Sequence, residues 1–275
     1  METRSIAAWW RSECVSDALW LEAENQAGVL DAVADGYYMV SECIDWRRAY
    51  VKPRAPGGVK GRPAREKLAF DLAFELDVPV APVVLIERHD AGTTHERFVD
   101  ASLVMFPKQQ PWWAVRRALT KPGPSALRTK AEATLASDVA RGFAFDTWVG
   151  QTEHHSEHPH NIILGWGEAD SSFVFLDYEY AFGGLDDEWS GSRASYCEPA
   201  PFPEEMLEQV DVSVLDEVVG RIEALSESTI REAVCRIPSE FLDDGPKTEI
   251  LRALVTRQRL VRAAVQSKLT LRGNK

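Results

Sequence analysis

Residues 145–184 read FDTWVGQTEHHSEHPHNIILGWGEADSSFVFLDYEYAFGG. The apolar run from Gly142 to Val149 breaks here into a polar loop that holds four of the chain's six histidines. Asn161 follows, then the apolar trio Ile162, Ile163 and Leu164. A turn of Gly, Asp and Ser leads into Phe173–Leu176, a short apolar segment flanked by turn residues, as a buried strand would be. Asp177 closes it. The pattern predicts a hairpin that joins a loop Asn to a strand-end Asp. A hard cation such as Mg²⁺ takes oxygen ligands, a few from protein and others from phosphates, and an Asn–Asp pair suits it.

Upstream, Tyr37–Cys43 and Ala49–Val51 predict two strands joined by a polar turn. The second runs into Lys52 and Pro53. Residues 53–63 (PRAPGGVKGRP) form a basic loop by their Pro and Gly content. Ala64–Leu76 predicts a helix, with Leu68, Leu72 and Leu76 on one face and Glu66 in its first turn. Val80–Ile86 and Ala101–Phe106 predict two further strands, the latter stopped by Pro107. The order strand, strand, helix, strand, strand is that of a small α+β unit with a mostly antiparallel sheet.

Past residue 107 the pattern turns helical. Trp112–Leu119 predicts a short helix and Thr129–Val149 a long one. Asp186–Pro203 is irregular by composition. Val210–Leu225 is helical, Thr229 to Glu232 fits a capping box, and Thr248–Lys268 predicts a last amphipathic helix. A β-rich N-terminal lobe (1–106) is therefore expected to meet a helical C-terminal lobe (107–275).

The chain has 275 residues, 45% of them hydrophobic, enough for one large domain or two lobes sharing a core. Its net charge of −12 argues against a nucleic-acid scaffold. Cys14, Cys43, Cys197 and Cys235 are scattered, so they read as reduced thiols of a cytoplasmic protein. No apolar run is long enough for a membrane span, and no signal-peptide core stands at Met1.

Four side chains fit phosphate chemistry. Lys52, ending a small-lobe strand, would neutralise phosphate charge, and Glu66 on the next helix would hold it in place. Asn161 and Asp177 would bind Mg²⁺ bridging the phosphates of a nucleotide held between the lobes. Phosphoryl transfer needs mainly positioning and charge neutralisation.

At this point the chain resembles the HipA-like kinases, a bacterial branch of the protein and lipid kinase fold. The resemblance spans about residues 35–265. It rests on AYVKP at 49–53, AREKLAFDLAFELDVPVAPVVL at 64–85, FDTWVG with HPHNIIL at 145–164, and FLDYEYAFG at 175–183. It implies a two-lobed α+β kinase-like fold and an ATP- and Mg²⁺-dependent transfer of phosphate to a hydroxyl, that of Ser or Thr in a protein substrate. Lys52 becomes the ATP-contacting lysine, Glu66 its helix partner, Asp177 and Asn161 the metal ligands, and Met105 and Phe106 the hinge beside the adenine. The family's loop N-x-D-R-H-x-G-N is altered here. Aligned back from Asn161, the Asp position is Ser156; aligned forward from Gly150, it is Glu153. Glu153 or a loop histidine such as His158 would then have to serve as base. A Glu carboxylate sits about 1 Å from where an Asp would place it, a shift that can cost roughly 10²-fold in rate. Two other readings stay open: a nucleotide-binding pseudokinase that works through a partner, and a metal site in the histidine loop, where His154 and His158 share a face if the loop is helical.

Overall fold

The computed structural model describes residues 61–85, 106–152, 161–182 and 197–270 in full, and residue 183 by its backbone. It describes by backbone alone the strands at 15–16, 20–21, 39–43, 48–51, 86–87 and 98–103 and the helical end at 271–273. Among these, strands β1 (Val15–Ser16), β2 (Trp20–Leu21), β3 (Met39–Cys43), β4 (Arg48–Val51), β5 (Val83–Glu87) and β6 (Phe98–Leu103) form one sheet in the order β1-β5-β6-β4-β3-β2. All its pairings are antiparallel except β1 with β5. The hairpin expected around residues 37–51 is β3–β4, with Met39 opposite Val51. The last strand of this unit starts at Phe98 and ends at Leu103, so Phe106 lies beyond it.

Between β4 and β5 lies α1 (Arg62–Leu76). Gly61 precedes it and Pro63 sits in its first turn, where a missing N–H costs nothing. It stops at Asp77, whose φ of 58° is left-handed; Asp tolerates that region better than most residues. Because the helix begins at Arg62, Glu66 falls in the second turn rather than the first, and the helix dipole does not account for it. Leu68, Leu72 and Leu76 are buried as their spacing predicts, yet Arg65, Glu66, Lys67 and Asp71 are buried too. The charged face of this helix is covered by protein. Burial of charge is tolerated only with partners, and Lys67 pairs with Asp71 at 3.0 Å while Arg236 reaches Asp71 at 3.6 Å.

A second sheet orders β7 (Lys108–Pro111), β8 (Ile162–Trp166) and β9 (Ser171–Phe175). The predicted hairpin is β8–β9, with Ile162 opposite Phe175 and Leu164 opposite Phe173. Strand β7 has no sequence signal: KQQP is polar and ends in Pro, and it pairs along an edge, where Pro is tolerated. The two sheets are stitched by the segment after α1. Phe175 donates its N–H to Pro79 O (2.9 Å), and Ala81 donates to Phe175 O (3.2 Å).

The helices are α2 (Trp112–Thr120), α3 (Ala126–Glu132), α4 (Leu135–Val149), α5 (Glu204–Leu207), α6 (Val212–Ala224), α7 (Glu227–Arg236), α8 (Asp244–Gln258) and α9 (Val261–Gly273). The helix expected over 129–149 is two helices, α3 and α4, and that over 248–268 is also two, α8 and α9. The cap lies one turn earlier than read and is a single N-cap in place of a capping box: Ser226 Oγ accepts the Thr229 N–H at 3.1 Å. Phe143, Phe145, Trp148, Phe173, Phe175 and Tyr178 are fully buried in one core that runs from α1 through α4 and the hairpin to α8. Each such side chain contributes on the order of 1.5–3 kcal/mol. Trp148 anchors α4 to α8 by donating its indole N–H to Leu254 O at 3.0 Å.

Among the described residues no helix is long and apolar enough to cross a membrane. Cys197 and Cys235 are free thiols. Burial pushes Cys197 up to about 11, and it donates to Thr147 O at 3.3 Å, so it is a packing group and not a nucleophile.

Candidate functional site

Helix α4 ends at Gly150, whose φ of 71° lets the chain turn left-handed and return its N–H to Asp146 O at 2.8 Å. A Cβ at Gly150 would collide with the guanidinium of Arg257. The turn delivers Gln151, which is buried, to the end of β9. Gln151 Nε2 donates to Asp177 O at 2.5 Å, and its Oε1 accepts the Thr152 N–H at 2.7 Å.

Across the hairpin, Asn161 O accepts the Leu176 N–H at 2.9 Å. The ladder thus runs one residue past β9 and sets Asn161 beside the residue preceding Asp177. Asn161 is buried and Asp177 half-buried. Asp177 has a φ of 65°, in the left-handed region that a non-Gly residue keeps only when its surroundings hold it there.

The restraints on that residue come from three directions. Gln151 takes its carbonyl, as described. Glu66 Oε2, from the middle of α1, accepts the N–H of Tyr178 at 2.8 Å. Tyr178 buries its ring against Phe145 (centroids 5.7 Å apart) and donates its hydroxyl to Asp146 Oδ1 at 2.9 Å. Burial, and then the carboxylates of Asp146 and Glu66, push the Tyr178 hydroxyl well above its ordinary range, so it stays a neutral donor. Helix α1 continues its grip further on: Arg65 Nη1 donates to Glu179 O at 2.8 Å, Arg62 pairs with the Glu179 carboxylate at 3.5 Å, and its guanidinium lies 4.9 Å from the Tyr180 ring centroid.

Glu66 and Asn161 are therefore held on either side of Asp177 by separate hydrogen bonds to its neighbours Tyr178 and Leu176. Phe106 is buried with Ala81, Val174 and Leu176 in a small cluster next to the hairpin, its ring against Gly165. Lys52, Met105, Glu153 and His158 lie outside the described residues, as does the rest of the histidine loop (153–160). Sequence reasoning missed Asp146, Gln151 and Tyr178. The Gly150 helix stop was visible, but nothing local says that Gln151 points to a carbonyl 26 residues away. Two oxygen-bearing side chains, one amide and one carboxylate, flank the open end of the hairpin, a donor set suited to a hard cation. Among the described residues there is no cluster of three or more His, Cys, Asp or Glu side chains that would hold a metal by itself.

No protein-family model and no curated protein matches the sequence. Among solved structures the fold is similar to that of the Helicobacter pylori proinflammatory kinase CtkA, at 12% identity and a TM-score of 0.59, over 91% of this chain and 96% of that one. It is also similar to the open conformation of CtTel1, at 10% identity and a TM-score of 0.50, over 92% of this chain and 13% of that much longer one. The fold is kinase-like and α+β.

Proposed function

We propose that this chain binds ATP with Mg²⁺ and is a kinase of the HipA-like kind, its two lobes (1–106 and 107–275) closing over the nucleotide. The observation that carries the reading is the hydrogen bond from the Tyr178 N–H to Glu66. It couples the helix of the small lobe to the residue after Asp177, which supports a metal-binding role for that carboxylate. Asn161 and Asp177 would hold the metal ion, which when bound neutralises charge on the phosphates. Lys52 would meet the phosphates, with Glu66 as its partner. Phe106, in its apolar cluster, and Met105 would border the adenine. The recipient would be a Ser or Thr hydroxyl of a partner protein in a cytoplasmic setting.

The altered loop before Asn161 favours a second reading, in which the same site binds nucleotide without transferring phosphate. Thermal shift and phosphate transfer separate the two. A ligand of the native state raises stability by RT ln(1 + [L]/Kd). ATP with Mg²⁺ should raise the melting temperature, and Asp177→Ala should abolish the Mg²⁺-dependent part. No shift at millimolar ATP overturns both readings. A shift without transfer to itself or to protein substrates supports the pseudokinase. Transfer that falls in Glu153→Gln or His158→Ala, with ATP binding retained, assigns the base.

A further inference from the structure

A cavity of about 320 Å³ lies at the far end of α1 from Glu66, within the range of about 300–1,000 Å³ usual for ligand pockets. Its apolar wall is Phe70 and Phe74 of α1, Val78 and Val80 of the following segment, and Phe106 and Val174. Its polar side carries Asp77, Asp138, Arg141, Asp170 and the serines of β9. From Glu66 to Phe70 and Phe74 is four and eight residues, or about 6 and 12 Å along a helix. Neither Glu66, Asn161 nor Asp177 lines this space.

Its charges are unequal in role. Asp138 is buried and already engaged: it accepts the Phe173 N–H at 2.9 Å and the Ser172 hydroxyl at 3.0 Å, bonds the Thr134 hydroxyl, and pairs with Arg141 at 3.3 Å. That carboxylate closes the outer edge of β9 and uses the one guanidinium of the wall. Asp77 and Asp170 are exposed, and neither makes an ion pair among the described residues. Among the described residues the polar side therefore sets three carboxylates against one guanidinium, while the interior is phenyl and isopropyl surface.

We propose that this cavity is a binding site for a small amphiphilic cation, with an aromatic or branched body seated on Phe70, Phe74, Val78 and Val80 and an ammonium group at Asp77 and Asp170. Apolar burial supplies the attraction and the two carboxylates the sign selectivity. The cavity shares Phe106 with the proposed adenine border and otherwise uses none of the proposed nucleotide-site residues, so amine binding is read here without nucleotide present.

The test uses 2-phenylethylammonium, its neutral analogue 2-phenylethanol and its anionic analogue phenylacetate on the full chain, read by methyl NMR of Val78, Val80 and Val174 and by titration. The ammonium compound should shift these methyls at millimolar concentration, bind more tightly than the alcohol, and leave phenylacetate without effect. Asp77→Asn with Asp170→Asn should weaken the amine by about tenfold and leave the alcohol unchanged, since both sites are exposed and Asn tolerates the left-handed turn at 77. The proposal is overturned if none of these methyls moves, if phenylacetate binds as well as the amine, or if the double variant keeps the amine's affinity.

Discussion

Glu66 shows how one buried carboxylate can be both a structural and a chemical group. Its acceptor oxygen answers a backbone N–H on the other side of the core. Glu66→Ala should leave that N–H buried without a partner and cost about 1–3 kcal/mol in chemical denaturation, while Glu66→Gln, which keeps an amide oxygen, should cost less. Asp138 offers a pH test. Burial raises its carboxyl above the ordinary 3.8, against the hydrogen bonds and Arg141 that lower it. The folded chain thus holds the proton at pH values where the unfolded chain has lost it. Relative to Asp138→Asn, the wild type should lose stability as pH rises from near 4 through the folded value, and run parallel to the variant above it. A wild type that gains on the variant over that window would refute this. Asn161 and Asp177 were legible in the sequence because apolar segments and a turn bracket them. Asp138 was not, since a carboxylate in a helix reads as solvated until the edge of β9 is seen to need an acceptor.

At the scale of elements, periodicity located α1, the β8–β9 hairpin and the C-terminal helices but misjudged continuity. The break between α3 and α4 comes at Thr134, whose carbonyl takes the Ser137 hydroxyl at 3.1 Å and whose own hydroxyl binds Asp138. Side chains that bond to their own turn compete with the helix there. At the end of α8, Gln258 donates its amide to Ile222 O (2.7 Å) and Leu225 O (2.6 Å) and so ties that end to the end of α6. Packing also reverses a propensity. Gly142 lies inside α4, where Ala should gain about 1 kcal/mol. A Cβ there meets the ring of Phe175, buried in the core. Gly142→Ala should therefore destabilise, by about 1–3 kcal/mol of overpacking less the propensity gain, measurable as a lower denaturation midpoint. Ser226→Ala, which removes only the cap of α7, should cost about 1 kcal/mol.

For the whole molecule, one-faced amphipathicity is a poor guide to α1. Its leucine stripe marks one face of the helix and leaves the surroundings of the charged face unread. The stripe faces one part of the core, and the charged side meets residues 178–180 and Arg236. Sequence patterns report local contrast between apolar and polar residues. They carry no information on partners more than a hundred positions away.

That distance has a consequence for how the protein is made. The bond between Glu66 and Tyr178 spans 112 residues, which at a synthesis rate of roughly 5–20 residues/s is on the order of ten seconds of translation. For that interval α1 is outside the ribosome with its acidic and basic groups answered only by water or by one another. Nascent chains arrested before residue 178 should be cut by protease within 62–76, and the folded chain spanning residues 1–275 should resist.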